Sequence, residues 1–236
     1  MNWNDFDAAL FDLDGVLTPT AELHQRAWFE LFTEYLATHP SAPAYTQADY
    51  FAHVDGRPRY DGVAAMLASR GIELPWGTPA DSLDADTVCG LGNRKNQQFE
   101  ELLARDGILP YPGSLKLVEQ LHAAGTKLAV VSSSRNAVEV LRIARIDHFF
   151  PVVVDGKVAE DDNVRGKPAP DMFLKAAARL GVEPARAVVL EDAVSGVQSG
   201  AAGDFGLVVG VDRGAGHQVL TQAGANLVVD DLEELL

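Results

Sequence analysis

Hydrophobic and polar positions along this chain fall into two textures. The first apolar run, Ala8-Ala9-Leu10-Phe11, is short and bounded like a buried strand entering a turn. From about Ala21 to Leu103 the spacing is helical. Ala27, Phe29, Leu31, Phe32, Tyr35 and Leu36 make one apolar stripe. Val63, Ala64, Met66, Leu67 and Ala68 make a second, ended by Gly71, and Phe99, Leu102 and Leu103 suggest a third. No strand-like run interrupts this stretch, and Pro40, Pro43, Pro75 and Pro79 mark its loops.

Beyond Tyr111-Pro112-Gly113 short apolar runs alternate with helical segments. The strand candidates are Leu128–Val131, Val152–Val154, Ala187–Leu190, Leu207–Val209 and Leu227–Val229. Helical stretches separate them, from Ser114 to Ala124, Asn136 to Arg145, Pro170 to Leu180, Gly196 to Ala202 and Gln218 to Ala223. Fully apolar strands alternating with helices predict an α/β fold, a parallel sheet covered on both faces. The early strand belongs to the same sheet. The expected organisation is therefore an α/β core of residues 1–19 and 106–236, interrupted by an all-α insertion at 20–105. Ligands of open α/β sheets bind beyond the carboxyl ends of the strands, and an insertion leaving from that edge would serve as a lid.

Composition sets limits on function. The 236 residues suffice for a sizeable core, and 47% hydrophobic with 22% charged residues is ordinary for a globular protein. No apolar run is long enough for a bilayer, and Met1-Asn2-Trp3-Asn4-Asp5 lacks a secretory pattern. Cys89 is the sole cysteine, so an intrachain disulfide is excluded and a cytoplasmic setting is expected. A net charge of −15 argues against nucleic-acid and membrane partners. A phosphate substrate would need local cations, for which Arg59, Lys95, Arg135 and Lys167 are the candidates.

Four groups of reactive residues stand near strand ends. Asp12 and Asp14 follow the first strand, with Gly15 next. In an extended segment residues i and i+2 share a face, so the two carboxylates project together and repel unless a cation or proton intervenes. An oxygen-seeking ion such as Mg²⁺ relieves that repulsion and leaves a carboxylate oxygen free to attack. An ordinary Asp-Gly turn is the plain alternative, and an EF-hand is disfavoured because Val16 stands where a third oxygen ligand belongs. Ser132-Ser133-Ser134-Arg135-Asn136 follows the second core strand. Its hydroxyls and N–H groups suit phosphate oxygens, or equally a helix N-cap. Lys167 precedes a proline-bracketed turn, where its ammonium would neutralise a phosphate and a carboxylate together; a plain exposed lysine is the alternative. Glu191 and Asp192 end the Ala187–Leu190 strand and would complete an oxygen shell, or cap the next helix.

Taken in order, these motifs resemble the haloacid dehalogenase superfamily of phosphotransferases over almost the whole chain. The resemblance implies a Rossmann-like parallel sheet with an inserted helical cap. It makes Asp12 the nucleophile that carries an aspartyl-phosphate and Asp14 the general acid/base. Ser132 and Lys167 would hold the transferring phosphoryl group. Mg²⁺ would be bound by Asp12, Glu191, Asp192 and the Asp14 carbonyl. Within the superfamily, Asp12–Leu17 continuing into Thr20-Ala21-Glu22-Leu23-His24 is similar to the β-phosphoglucomutase-like family. That likeness gives Thr20 and His24 hinge roles that position Asp14. It gives Arg59, in Gly56-Arg57-Pro58-Arg59, a distal phosphate and Lys95 a sugar contact, and it places Ser133, Ser134, Arg135 and Asn136 around the non-transferring phosphate. Trp28 is read as interior of the insertion.

The implied activity is interconversion of β-glucose 1-phosphate and glucose 6-phosphate, on a small phosphorylated sugar. A sugar-phosphate phosphatase is the alternative on the same scaffold, and a non-catalytic phosphosugar-binding domain the remote one. The chain departs from the family pattern at Pro19, at Arg57-Pro58, at Arg135 and in a longer, acidic loop Asp155–Arg165. These departures bear on which sugar is taken. Oligomeric state is left open, and a monomer suffices for this reading.

Overall fold

The structure, a computed structural model, describes all residues from Met1 to Leu236. A short 3-10 turn at Trp3–Asp5 leads into β1 (Ala8–Phe11). Helices follow: α1 (Thr20–Ala37), α2 (Gln47–Asp49) running into a π-helical turn at Tyr50–Val54, α3 (Arg59–Ala68) and α4 (Val88–Asp106). Then come α5 (Pro112–Ala123), β2 (Lys127–Val131), α6 (Ala137–Ile143), β3 (Val152–Val154), α7 (Gly156–Asp161) and α8 (Asp171–Leu180). The chain ends with β4 (Ala187–Glu191), α9 (Val194–Ala201), β5 (Leu207–Val211), α10 (His217–Ala223) and β6 (Leu227–Val229). No helix is long and apolar enough to cross a membrane.

Two compact units result. One comprises Met1–Thr20 with Ile108–Leu236, the other Ala21–Gly107. In the first, six parallel strands run in the order β3-β2-β1-β4-β5-β6. β1 pairs on both edges, Leu10 lying opposite Ala129 and Val189, and Phe11 opposite Val130 and Leu190. All four β1 residues are buried, which accounts for the absence of polar alternation. Winding proceeds from β1 to β3 on one side and resumes with β4 on the other. The direction therefore switches between β1 and β4, and a ligand crevice is expected beyond the carboxyl ends there. α8 turns Met172, Phe173, Ala176 and Ala177 onto Leu10, Ala129 and Val189, and Gly181 ends it in the left-handed conformation.

The predicted strands all form, β1, β3 and β6 with the expected bounds and β2, β4 and β5 longer by a residue or two. One helix escaped the sequence reading: Gly156–Asp161 is α7, inside what was expected to be a loop. Asp155 caps it by accepting from the Val158 N–H at 2.8 Å.

The second unit is helical around an aromatic-rich core that includes Trp28, Phe32, Tyr45, Met66 and Leu91. In α1 the buried stripe is Ala27, Trp28, Leu31, Phe32, Tyr35 and Leu36, paired positions four apart. Phe29, placed in the stripe by sequence, is half exposed. The third predicted helix is the latter part of α4, which starts earlier, where Thr87 accepts from the Gly90 N–H.

Candidate active site

β1 delivers Asp12 directly beyond its last residue. The Asp12 N–H still bonds the Leu190 carbonyl at 2.9 Å, so the residue is fixed by the sheet ladder. Its side chain meets Lys167 Nζ, which donates to Oδ1 at 2.5 Å. Lys167 was expected near a strand tip. It arrives instead from the long connection between α7 and α8, and its peptide bond to Pro168 is cis. Its ammonium also donates to the Val131 carbonyl at 3.1 Å, lies 2.5 Å from Glu191 Oε1 and sits 5.2 Å from the Phe173 ring centroid. Ends of β1, β2 and β4 thus converge on one buried lysine.

The electrostatics follow from burial. Loss of water pushes the Asp12 carboxyl well up; Lys167 opposes this, while Glu191 and Asp14 add to the rise. Burial alone would lower Lys167, but the Asp12 and Glu191 carboxylates outweigh it and hold the ammonium charged. Asp12, Glu191 and Asp192 bring carboxylate oxygens within 4.8 Å of one another, so the cluster carries more negative charge than Lys167 balances.

These residues fit an oxygen-ligated divalent ion. Glu191 Oε1 is buried and paired with the Lys167 ammonium at 2.5 Å, and with Asp12 and Asp192 the carboxylate makes an all-oxygen donor set of the kind a hard divalent ion takes. Two glycines make the space. A Cβ on Gly15, whose φ is +87°, would stand 1.9 Å from Asp192 Oδ2, and one on Gly196 would stand 1.8 Å from Glu191 Oε1.

Asp14 has different company. Thr20 Oγ1 donates to its Oδ1, and Ser132 Oγ donates to its Oδ2 at 3.2 Å. Thr18 and Thr20 share a hydroxyl contact of 2.8 Å beneath it. One carboxylate of the pair is therefore gripped by an ammonium, the other by hydroxyls.

Ser132 is fully buried, pinned to β3 through its N–H to the Val154 carbonyl at 3.1 Å, and its Oγ accepts from the Ser134 N–H. Ser133, Ser134 and Arg135 continue that turn. Asn136 takes the cap position of α6 without a side-chain capping bond, and its N–H donates to Ser134 Oγ at 3.2 Å. Arg135 Nη1 bonds Glu160 of α7 at 2.5 Å, a partner the sequence reading did not foresee.

In the helical unit, Lys95 of α4 is buried against Trp28 and Phe99, at 4.9 and 5.1 Å from their centroids, and contacts His24 Nδ1. His24 stacks on Phe99 at 4.0 Å. Arg59 Nη2 donates to Asn96 Oδ1 at 2.6 Å, one residue beyond Lys95. His24, Lys95 and Arg59 are thus drawn to one segment of α4. Trp28 lies in the core of this unit. A groove of about 410 Å³ beside α1, lined by Glu22, Gln25, Arg26 and Phe29, holds none of the predicted residues.

A doubly wound sheet with a buried carboxylate, a buried lysine and an acidic strand end at its switch point fits a phosphotransferase or phosphatase. The comparisons agree, and the chain belongs to the haloacid dehalogenase-like hydrolases, whose family model matches residues 6–204. It is 49% identical to a β-phosphoglucomutase of Mycobacterium bovis over 97% of this chain and 91% of that one. It is 36% identical to the β-phosphoglucomutase of Bacillus subtilis over 97% and 91%. A crystal structure of β-phosphoglucomutase from Clostridium difficile superimposes with a TM-score of 0.78 at 25% identity, covering 98% of this chain and 93% of that one.

Proposed function

We propose that the protein is a Mg²⁺-dependent sugar phosphomutase that interconverts β-glucose 1-phosphate and glucose 6-phosphate. The observation that carries this reading is the unequal treatment of the two carboxylates, Asp12 held by Lys167 and Asp14 held by Thr20 and Ser132. A nucleophile and a proton carrier need such different surroundings. The relatives named β-phosphoglucomutase supply the substrate class.

Asp12 attacks phosphorus in line. Its Oδ–P bond forms as the bond from phosphorus to the sugar oxygen breaks, and Asp14 gives that oxygen its proton. Lys167 faces the charge on the phosphoryl oxygens, and the Ser132 hydroxyl turns from Asp14 to join it there. In the second half, Asp14 takes a proton from the acceptor hydroxyl, which attacks the aspartyl-phosphate and frees Asp12. A mutase passes the group to a sugar hydroxyl, a phosphatase to water. Asp12, Glu191 and Asp192, with the Asp14 carbonyl, would hold Mg²⁺, which supplies charge neutralisation at the transferring group. Arg59 and Lys95 serve as recognition cations for the distal phosphate and the sugar. Ser133, Ser134, Arg135 and Asn136 take the non-transferring phosphate, and His24 supports the hinge.

The test is product identity. With β-glucose 1-phosphate, Mg²⁺ and a trace of hexose bisphosphate, glucose 6-phosphate is expected, lost on chelation and restored by Mg²⁺. Inorganic phosphate as the sole product would overturn the mutase and leave the phosphatase, the reading favoured by the family's description as hydrolases.

A further inference from the structure

Arg213 follows the end of β5, one residue beyond Asp212. Its guanidinium meets three separate stretches of chain. Nε donates to the Gly15 carbonyl at 2.8 Å, and Nη1 donates to the Asp230 carbonyl at 3.0 Å. Its central carbon lies 4.0 Å from the centroid of the Tyr111 ring. Nη2 is buried without a hydrogen-bond partner, a cost the other contacts must offset.

The Gly15 contact is one of a series. Three consecutive carbonyls after Asp14 are each taken by a different donor. Arg213 holds Gly15, the Ser114 hydroxyl holds Val16 at 2.6 Å, and the Tyr111 N–H holds Leu17 at 2.9 Å. Gly15 itself has no side chain to anchor it, because Asp192 fills that space. The Gly15 N–H donates to the Thr18 carbonyl at 2.8 Å, so the peptides on both sides of Gly15 are held, the second by the one charged donor of the three, and the ring under that donor belongs to the residue that holds Leu17.

We propose that Arg213 is a positioning residue for Asp14. By clamping the Gly15 carbonyl it sets the backbone from which the Asp14 carboxyl is aimed, while Thr20 and Ser132 hold the carboxyl itself. The proposal rests on the reading of Asp14 as general acid. Misaiming a proton donor slows only the step that needs the proton, and small misplacements reach factors of about a hundred.

The experiment compares leaving groups. The first phosphoryl transfer is followed by rapid mixing in Mg²⁺ with two substrates, β-glucose 1-phosphate and p-nitrophenyl phosphate. A sugar alkoxide must be protonated to leave; p-nitrophenolate leaves without a proton. Arg213→Ala should slow transfer from the sugar phosphate about 10- to 100-fold with KM within about threefold, and keep the p-nitrophenol burst rate within about threefold. Arg213→Lys keeps the charge but loses the planar fork, and should fall between; it decides the matter if the alanine variant does not fold. Equal losses on both substrates, or no loss on the sugar phosphate, overturn the proposal. Asp14→Asn is the control. If it too slows both substrates equally, the acid role of Asp14 fails, and the positioning role fails with it; a selective Asp14→Asn beside an unselective Arg213→Ala rejects Arg213 alone.

Discussion

Lys167 and Lys95 are almost equally buried, at 3% and 4% exposure, yet the two units hold them by different physics. Lys167 sits among carboxylates, with Asp12 and Glu191 each 2.5 Å from its nitrogen. Lys95 lies against the faces of Trp28 and Phe99 and the imidazole of His24. A buried ion pair is strongly coupled: removing one member strands the other's charge in low dielectric. Contacts between a cation and ring faces are weaker, about 0.5–2 kcal/mol, because a ring face offers a quadrupole rather than a full charge. The α/β unit therefore carries a cluster whose members fail together. The Trp28 and Phe99 contacts of Lys95 in the helical unit are of the weaker kind.

The severest test is Asp12→Ala. With no nucleophile, turnover of any phosphate ester should fall at least about 10⁴-fold, measured as sugar product and as released phosphate. Appreciable residual turnover would place the covalent step elsewhere. Next is Lys167→Met. Its kcat should fall about 10²- to 10³-fold. Because Asp12 and Glu191 are left buried without their counter-charge, stability should drop by about 3–5 kcal/mol in urea unfolding. Adding Glu191→Gln should recover part of that loss, the signature of coupled charges.

Lys95→Met should behave otherwise. About 1–2 kcal/mol of stability should be lost, and KM for the sugar phosphate should rise about tenfold while p-nitrophenyl phosphate turnover stays level. A stability loss matching that of Lys167→Met would erase the distinction between the two lysines.

How much of this was legible from residues alone differs between the units for a related reason. The six strands were readable because each is an unbroken apolar run, and the strand-end carboxylates were readable because Asp12-x-Asp14 and Glu191-Asp192 lie adjacent in sequence. What was missed depends on contacts across the chain. α7 looked like an acidic loop because its six residues hold no apolar stripe; Asp155 upstream caps it. Arg213 carries the same signal as the other groups, a charged residue just past an apolar strand, but its partners are main-chain carbonyls, which leave no trace in sequence. Phe29 was misplaced because Ala27, Trp28 and Phe29 are consecutive apolar residues, and spacing alone does not say which of the three turns outward.

The smallest effect concerns Arg135, which joins Glu160 of α7 at 2.5 Å with side chains 32% and 46% exposed. An exposed pair of this kind is worth about 0–1 kcal/mol. In the proposed role of Arg135, an arriving phosphate dianion would displace that carboxylate and lose the same amount, which would make Glu160 a weak competitor for the cation. Glu160→Gln should lower KM for the sugar phosphate by no more than about fivefold, the ratio equivalent to 1 kcal/mol, with kcat unchanged. The gap between wild type and variant should narrow as salt rises, because exposed pairs are screened. An increase in KM would mean the reverse, that Glu160 holds the guanidinium in its binding position. Arg135 would then resemble Lys167, a cation positioned by a carboxylate, and the contrast would run between charge-held and ring-held cations rather than between the interior and the surface.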